Sequence, residues 1–348
     1  MLRAFHEAIL RLDGSYGEGG GQILRTALSL STVTGVPVRI DRVRAGRPKP
    51  GLRPQHLTAV QALARISQAE VTGAHLGSQA LTFKPRFLKV GHYLFDVAAR
   101  TGSAGAVSLI AQALLPPLLM AGAPSTVILK GGTHVPWSPP VHYLSRVFLP
   151  ALARLGAQVG IDLERWGWYP KGGGEVALKI TPASALAGVE WRTPATPLGF
   201  QALSAASQLP EHVARRQATR LAARLQETVP VEIVPASGQD PGSFVFLWGP
   251  RAGFNALGAR GKPAEQVADD VADAYQSFLK SGAALDRHLA DQMLIYLALA
   301  RAPSSFTTET ITSHLLTNVW VIEQFLGPQF EVRGKRGERG EIFCQGQK

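Results

Sequence analysis

The sequence predicts an α/β fold, α+β in the wider sense: repeated βαβ-type units form a large domain, and a small α/β domain is inserted into it. Three observations predict this. First, a helix-opening slot recurs. Gln55, His142 and His314 each stand two residues before a leucine (Leu57, Leu144, Leu316) that is followed by Thr58, Ser145 or Thr317. Second, the interval from His142 to His314 is about twice that from Gln55 to His142, which leaves room for an extra module. Third, the texture changes across residues 183–281, beginning with a Pro/Ala/Thr linker at 182–196. The expected large domain is 1–182 plus 282–348, with repeats at about 12–98, 99–182 and 282–345. The small domain is 183–281.

The elements follow in order. A Gly-rich loop, residues 12–22, opens a helix at 23–33. Such a loop lets backbone amides approach phosphate, but no Gly-Lys-Ser/Thr follows it, so it is neither a P-loop nor a dinucleotide fingerprint. Glu18 is its one carboxylate inside the glycines. That carboxylate suits the divalent metal of a nucleotide, and equally suits the positive end of a helix dipole. A strand at 37–40 leads to a loop holding Arg42, Arg44, Arg47, Lys49 and Arg53 with Pro48, Pro50 and Pro54. Clustered guanidinium forks on a proline-stiffened loop favour a phosphate site over a solvated basic loop. A helix at 57–66 and strands near 70–71 and 80–83 complete the first repeat.

The pattern then returns. Gly102 to Ala106 open an apolar helix through Leu119, with a strand at 125–130, a stiff loop at 131–140, a helix at 142–155 and a strand from 157. Residues 166–180 read as a hairpin-like strand pair. The small domain offers helices at 211–226 and 263–281 and strands at 229–234 and 243–248. The third repeat offers a helix at 290–300, a strand from Ser305 and a last helix of about three turns that begins at Thr312-Ser313-His314 and stops at Gly327-Pro328. His314 lies in its first turn, where backbone N–H groups favour an anion. There it is either an inert helix-start histidine or a nucleophile toward phosphorus. Equivalent loops of the repeats would bring Glu18, the Arg44–Arg53 loop, the 131–136 loop and His314 together.

Composition bounds the rest. The chain has 348 residues, 45% apolar and 18% charged, ample for a real core. Lys+Arg 36 against Asp+Glu 25 gives +11, which suits a polyanionic partner such as nucleic acid or nucleotides. Cys344 is the one cysteine, so an intrachain disulfide and a Cys-rich zinc site are excluded and a reducing cytoplasm fits. Residues 1–7 are too charged for a signal peptide, and the apolar run 111–121, broken by Pro116-Pro117, is too short for a membrane span. The basic stretch 333–339 reads as a frayed, solvated terminus ahead of the other reading, an extra RNA contact.

Several of these stretches stand together: Gly-Glu18-Gly-Gly-Gly-Gln22-Ile-Leu-Arg25, Arg44-Ala-Gly-Arg47-Pro-Lys-Pro-Gly-Leu52, Gln55-His56-Leu57, Gly102-Ser-Ala-Gly with Gln112, Gly131-Gly-Thr133, Leu289-Ala-Asp291-Gln292 and Ser313-His314-Leu-Leu-Thr-Asn318. In that order, from about 12 to 326, the chain resembles the RNA 3′-terminal phosphate cyclases. The resemblance implies an enolpyruvyl-transferase-like large domain with a small insert. It implies a ligase-type enzyme that uses ATP and a divalent metal, Mg²⁺ or Mn²⁺, to adenylate a histidine. AMP then passes to an RNA 3′-phosphate, and the ribose 2′-OH closes a 2′,3′-cyclic phosphate. Carried over residue by residue, the nucleophile matches His314 and the metal-associated carboxylate Glu18. Arg25, Gln112, Asp291 and Gln292 match residues at the nucleotide, and Pro136 one wall of an adenine pocket. His288 stands where relatives carry tyrosine as the other wall, and Phe254 aligns with an aromatic at the pocket edge. His134 replaces an Asp or Asn common after Gly-Gly-Thr. Arg44, Arg47, Arg53, Gln55 and His56 match the RNA-phosphate stretch. The implied partners are ATP and RNA with a 3′-phosphate, with no membrane and no obligatory protein partner. The helix start is expected to lower the pKa of His314. Two other readings compete: a non-catalytic cyclase-like RNA-binding protein of ribosome biogenesis, and an enolpyruvyl-transferase-like enzyme of small metabolites.

Overall fold

The computed structural model describes residues 8–97, 104–226 and 229–347; the N-terminal stretch 1–7 and Gly102-Ser103 of the second Gly-rich opening lie outside them. The first unit runs β1 (Leu10–Asp13), α1 (Gly21–Thr34), β2 (Val38–Asp41), α2 (Pro54–Ser67), β3 (Glu70–Thr72) and β4 (Leu81–Lys84). The second runs β5 (His92–Asp96), α3 (Val107–Leu119), β6 (Ser125–Gly131), an interrupted helix, β7 (Gln158–Arg165) and β8 (Gly174–Thr181). The interrupted helix comprises α4 (Val141–Tyr143), a π-helical turn (Leu144–Phe148) and α5 (Leu149–Ala153). The third unit opens with β9 (Glu190–Trp191). The insert follows: β10 (Gln201–Ser207), α6 (His212–Arg224), β11 (Val231–Pro235), β12 (Gly242–Gly249), β13 (Ala252–Leu257) and α7 (Ala264–Ser281). The third unit resumes with α8 (Arg287–Leu299), β14 (Ser304–Thr308), α9 (Ser313–Leu326), β15 (Phe330–Arg333) and β16 (Gly340–Cys344).

All three units fold their strands alike. In each 4-stranded sheet the order is first, second, fourth, third: β1-β2-β4-β3, β5-β6-β8-β7 and β9-β14-β16-β15. The first pair is parallel, joined by a helical crossover, and the others are antiparallel. The chain is therefore a mixed α/β protein. The parallel β9–β14 pairing places the insert inside the third unit, after its first strand. A two-residue strand carries no periodicity from which the sequence could have placed it.

Three local differences from the sequence reading have plain causes. The helix expected over 142–155 contains the π-turn because Pro150 has no N–H for the carbonyl of Arg146, and the ladder widens to accommodate it. The last helix is 14 residues, about four turns rather than three. The basic stretch 333–339 is not a frayed end. It is the connection of the β15–β16 hairpin, and β16 lies between β15 and β14. Phe330 and Val332 against Ile342 and Cys344 carry the alternation that holds it.

The core sits between the sheets, where α1, α3 and α8 pack. All but one residue of α3 is buried, and α1 packs on α2, α3 and α9 while α8 packs on α9. The insert's sheet, ordered β11-β10-β12-β13, is covered on both faces. Val245, Leu247 and Phe254 face α6 and α7 in one core, while Leu203, Phe244 and Phe246 join Trp166 and Trp168 of the large domain in another. Two-sided cover explains why β12 is an unbroken apolar run.

Candidate active site

The first half of α1, the middle of α3 and α8 and the head of α9 converge on one small cavity. Gln55, His142 and His314 are each the second residue of their helix, after Pro54, Val141 and Ser313. Thr312 caps α9, its Oγ1 accepting from the Leu315 N–H at 3.0 Å. His314 thus stands at the head of α9 with its ring 39% exposed.

Asp291 holds that ring. The His314 Nδ1 lies 2.8 Å from Asp291 Oδ2, and Gln22 Nε2 donates to Asp291 Oδ1 at 2.9 Å. A carboxylate only accepts, so Nδ1 carries the proton of the neutral ring and the Nε2 lone pair is left for an electrophile. Asn318 Nδ2 donates to the Asp291 carbonyl at 3.1 Å, and Thr26 Oγ1 donates to Asn318 Oδ1 at 2.9 Å. Burial pushes the His314 pKa down, but the charge and hydrogen bond of Asp291, with Glu18, outweigh it, and the pKa ends above its ordinary 6.5. This reverses the expectation drawn from the helix dipole. A carboxylate at contact outweighs partial charges spread over a turn.

The cavity of about 60 Å³ is lined by Gln22, Arg25, Gln112, Asp291, Gln292, Tyr296 and His314, among others. Gln112 Nε2, Gln292 Oε1, Gln22 Oε1 and Tyr296 Oη are buried there without hydrogen-bond partners. Buried polar atoms are normally satisfied, so four orphans around one cavity are the mark of a ligand that brings its own donors and acceptors. Larger cavities of about 630 Å³, between α4–α5 and β7, and about 730 Å³, between α2 and β5, lack such orphans. Burial lowers the Arg25 guanidinium to about 10 while Asp291 and Glu18 hold it up. It stays charged at neutral pH.

The Gly-rich loop is tied to α9. The Glu18 N–H donates to Thr317 Oγ1 at 3.0 Å, and Tyr16 stacks on Trp320 with centroids 4.0 Å apart. Glycine is required at 17, where φ is +56° and a Cβ would meet Thr317 Oγ1 at 2.3 Å. Glu18 pairs with Arg47, which joins the Gly-rich loop to the arginine loop. Arg44 turns back on that loop and donates to the carbonyls of Lys49 and Gly51, each at 2.8 Å. Arg53 precedes α2, exposed, and Gln55 is half-buried near Gly105. His56 is buried, and its Nδ1 accepts from the Arg53 N–H at 3.2 Å. Its Nε2 therefore bears the proton and points toward Gly21 and Arg25. Burial, with Arg25, Arg44 and Arg53 close by, holds His56 well below its ordinary pKa, as a neutral donor.

Other sequence candidates lie elsewhere. Phe254 is not at the cavity: on β13 its ring points into the insert's own core against Phe200, Tyr275 and Phe278. Strand alternation aims it there, and a half-aligned motif could not show which face it takes. Pro136 and His288 are exposed and do not line the cavity. In the 131–136 loop, His134 turns inward, stacked on Trp166 at 4.1 Å with its Nε2 2.8 Å from His142 Nδ1. In the sequence Gln22, Thr317 and Asn318 are named without a role at the site, and Thr26, Tyr16 and Trp320 are not singled out. The available signal was helical spacing: Gln22 and Thr26 are one turn apart on α1, as His314 and Asn318 are on α9. Among the described residues no group of three or more His, Cys, Asp or Glu is placed to hold a metal, and no helix is long and apolar enough to cross a membrane.

Comparison with known proteins bears on this cluster. Residues 16–332 match the family model for RNA 3′-terminal phosphate cyclase. An RNA 3′-terminal phosphate cyclase of Gloeothece citriformis is 48% identical over 327 residues, 91% of this chain and 93% of its own. One from Pyrobaculum neutrophilum is 44% identical over 346 residues, 97% of this chain and 98% of its own. A solved enolpyruvyl transferase, NikO from Streptomyces tendae, aligns over 98% of this chain and 49% of its own at 11% identity, with a TM-score of 0.38.

Proposed function

The chain belongs to the RNA 3′-terminal phosphate cyclase family, and from that premise we propose that it converts an RNA 3′-phosphate to a 2′,3′-cyclic phosphate using ATP, through AMP carried on His314. One observation carries the reading: His314 lines a cavity that holds unpaired polar atoms, and Asp291 occupies its Nδ1, which leaves Nε2 as the free nitrogen.

The chemistry then runs in three transfers. His314 Nε2 attacks the α-phosphorus of ATP, an N–P bond forms, the bond to the bridging oxygen breaks, and pyrophosphate leaves with the electron pair. The ring becomes cationic, and Asp291 at Nδ1 stabilises that charge in a largely buried site. An RNA 3′-phosphate oxygen next takes AMP from Nε2. Finally the neighbouring 2′-OH attacks the activated phosphate, AMP departs and the 2′-OH proton is lost. The hydroxyl is already adjacent, so proximity lowers this last barrier.

This chain's residues fit both substrates. Arg25, Gln112 and Gln292 would bind the nucleotide, and Arg44, Arg47, Arg53, Gln55 and His56 the RNA terminus. With Nδ1 committed to a backbone N–H, His56 donates to phosphate and cannot serve as the base for the 2′-OH. Glu18 would hold a divalent cation that arrives with the nucleotide phosphates. One carboxylate is enough in that mode, and the cation neutralises charge on the leaving group.

The test uses RNA oligonucleotides with a 3′-phosphate, ATP and Mg²⁺. The 3′-phosphate should become resistant to phosphatase, and the same oligonucleotide ending in a 2′-deoxynucleotide should not. RNA that binds yet stays phosphatase-sensitive points instead to the non-catalytic RNA-binding reading.

A further inference from the structure

Asp291 is gripped by two helices. Gln22 and Thr26 stand one turn apart on α1, and His314 and Asn318 stand one turn apart on α9, with Asp291 of α8 between them. The Gln22 amide takes carboxylate Oδ1 at 2.9 Å, and the Asn318 amide takes the backbone carbonyl of the same residue at 3.1 Å. Both amide orientations are fixed by chemistry. Carboxylate and carbonyl oxygens only accept, so each amide must present its nitrogen. The Asn318 oxygen then faces Thr26 Oγ1, which donates to it at 2.9 Å. Gln22, Asp291 and Asn318 are all buried, where a hydrogen bond to a charged group is strong and hard to replace by water. None of the three amide and hydroxyl side chains hydrogen-bonds to His314; their bonds run to Asp291 and to one another.

We propose that Gln22 and Asn318 are positioning residues for the adenylation step: they fix the rotamer and height of Asp291, so that Oδ2 meets His314 Nδ1 and Nε2 is aimed into the cavity. Gln22 does a second thing. By donating to Oδ1 it draws off part of the carboxylate's charge, and so limits how strongly Asp291 holds a proton on the imidazole. The charged groups facing His314 are Asp291 on α8, Glu18 in the Gly-rich loop and Arg25 on α1. Of these only Asp291 is set by Gln22.

This inference rests on the His314–AMP reading, and its test separates the two. Gln22→Leu keeps the bulk and removes the donor; Asn318→Ala removes the other grip. Two measurements are made on each: single-turnover labelling from α-labelled ATP across a pH and ATP series, and an NMR titration of the His314 ring in ATP-free protein, assigned by its loss in His314→Ala. For Gln22→Leu the maximal labelling rate should fall roughly ten-fold, with half-saturating ATP changing less, since the unpaired Gln22 Oε1 also lies at the cavity. Both the rate midpoint and the ring titration should move to higher pH. Asn318→Ala should lower the rate with the same labelling endpoint. A Gln22→Leu protein whose half-saturating ATP rises while its maximal rate holds would make Gln22 a nucleotide contact. A lower endpoint with unchanged rate and unchanged titration would make it merely structural. Either result overturns the proposal. If the wild type takes no label, the adenylation reading fails, and the ring titration still decides whether Gln22 tunes His314.

Discussion

His142 and His314 hold the same place in two copies of one unit, and they have opposite chemistry. Each is the second residue of the second helix of its unit. His142 faces another histidine, His134, across 2.8 Å, and lies against Trp166 and Phe244. Among the described residues no carboxylate pairs with it. Burial, with Arg146 nearby, pushes it down to about 4 from 6.5, so it is a neutral packing residue. His314 faces a carboxylate and a cavity, and its pKa is raised. The repeat supplies position, and the neighbours supply function: α8 brings Asp291 to one slot, while the insert brings Phe244 to the other.

The sharpest way to break this comparison is to delete each ring. His314→Ala should abolish adenylation from ATP, a loss of about 10⁴-fold or more. His142→Ala should leave the adenylation rate within about three-fold while lowering stability by roughly 2 kcal/mol through lost packing. Equal losses of activity would mean that the slot, not its neighbours, carries the chemistry. Asp291→Asn comes next. It keeps the shape and removes the charge, so adenylation should fall about 100-fold, and the pH midpoint of the rate should move down because the raising influence on His314 is gone. A midpoint that stays in place would remove Asp291 from the account.

Arg47→Ala should separate the two halves of the reaction. Arg47 touches Glu18 but not the His314 cavity. Cyclisation of RNA should drop roughly 30-fold, and enzyme adenylation much less. The smallest effect concerns pH and stability. The folded pKa of His142 is depressed, so its contribution is whole above 6.5 and is lost as pH falls toward about 4, because the unfolded chain takes up the proton first. His134 acts in the same direction, held low by burial and by His142. His142→Phe, followed by thermal melts at stepped pH, should flatten this acid limb.

Much of the fold was legible. The repeated slot and the doubled interval pointed to the fold class, repeated βαβ-type units with an α/β insert, because helix starts and Pro/Gly loops are local signals. What stayed hidden depended on contacts between distant segments. β9 is two residues long and is recognised only by pairing with β14. The sequence gives no hint that Phe254 turns away from the cavity, since a strand's two faces look alike until a partner covers one. Of the site, His314, Glu18 and the arginine loop were visible as residue types in telling places. Asp291 was visible as part of a motif but not as the partner of His314, because only the packing of α8 on α9 brings them together. The sign of the His314 shift was misread for the same reason.

The most direct test is the chemical identity of the labelled residue. The protein is incubated with ATP labelled in the α-phosphate and Mg²⁺, without RNA, and the labelled peptide is mapped. The label should be acid-labile, alkali-stable and located on His314, and it should be discharged by RNA bearing a 3′-phosphate but not by the same RNA bearing a 3′-OH. Label on a lysine, or label taken up equally by His314→Ala, would contradict the account.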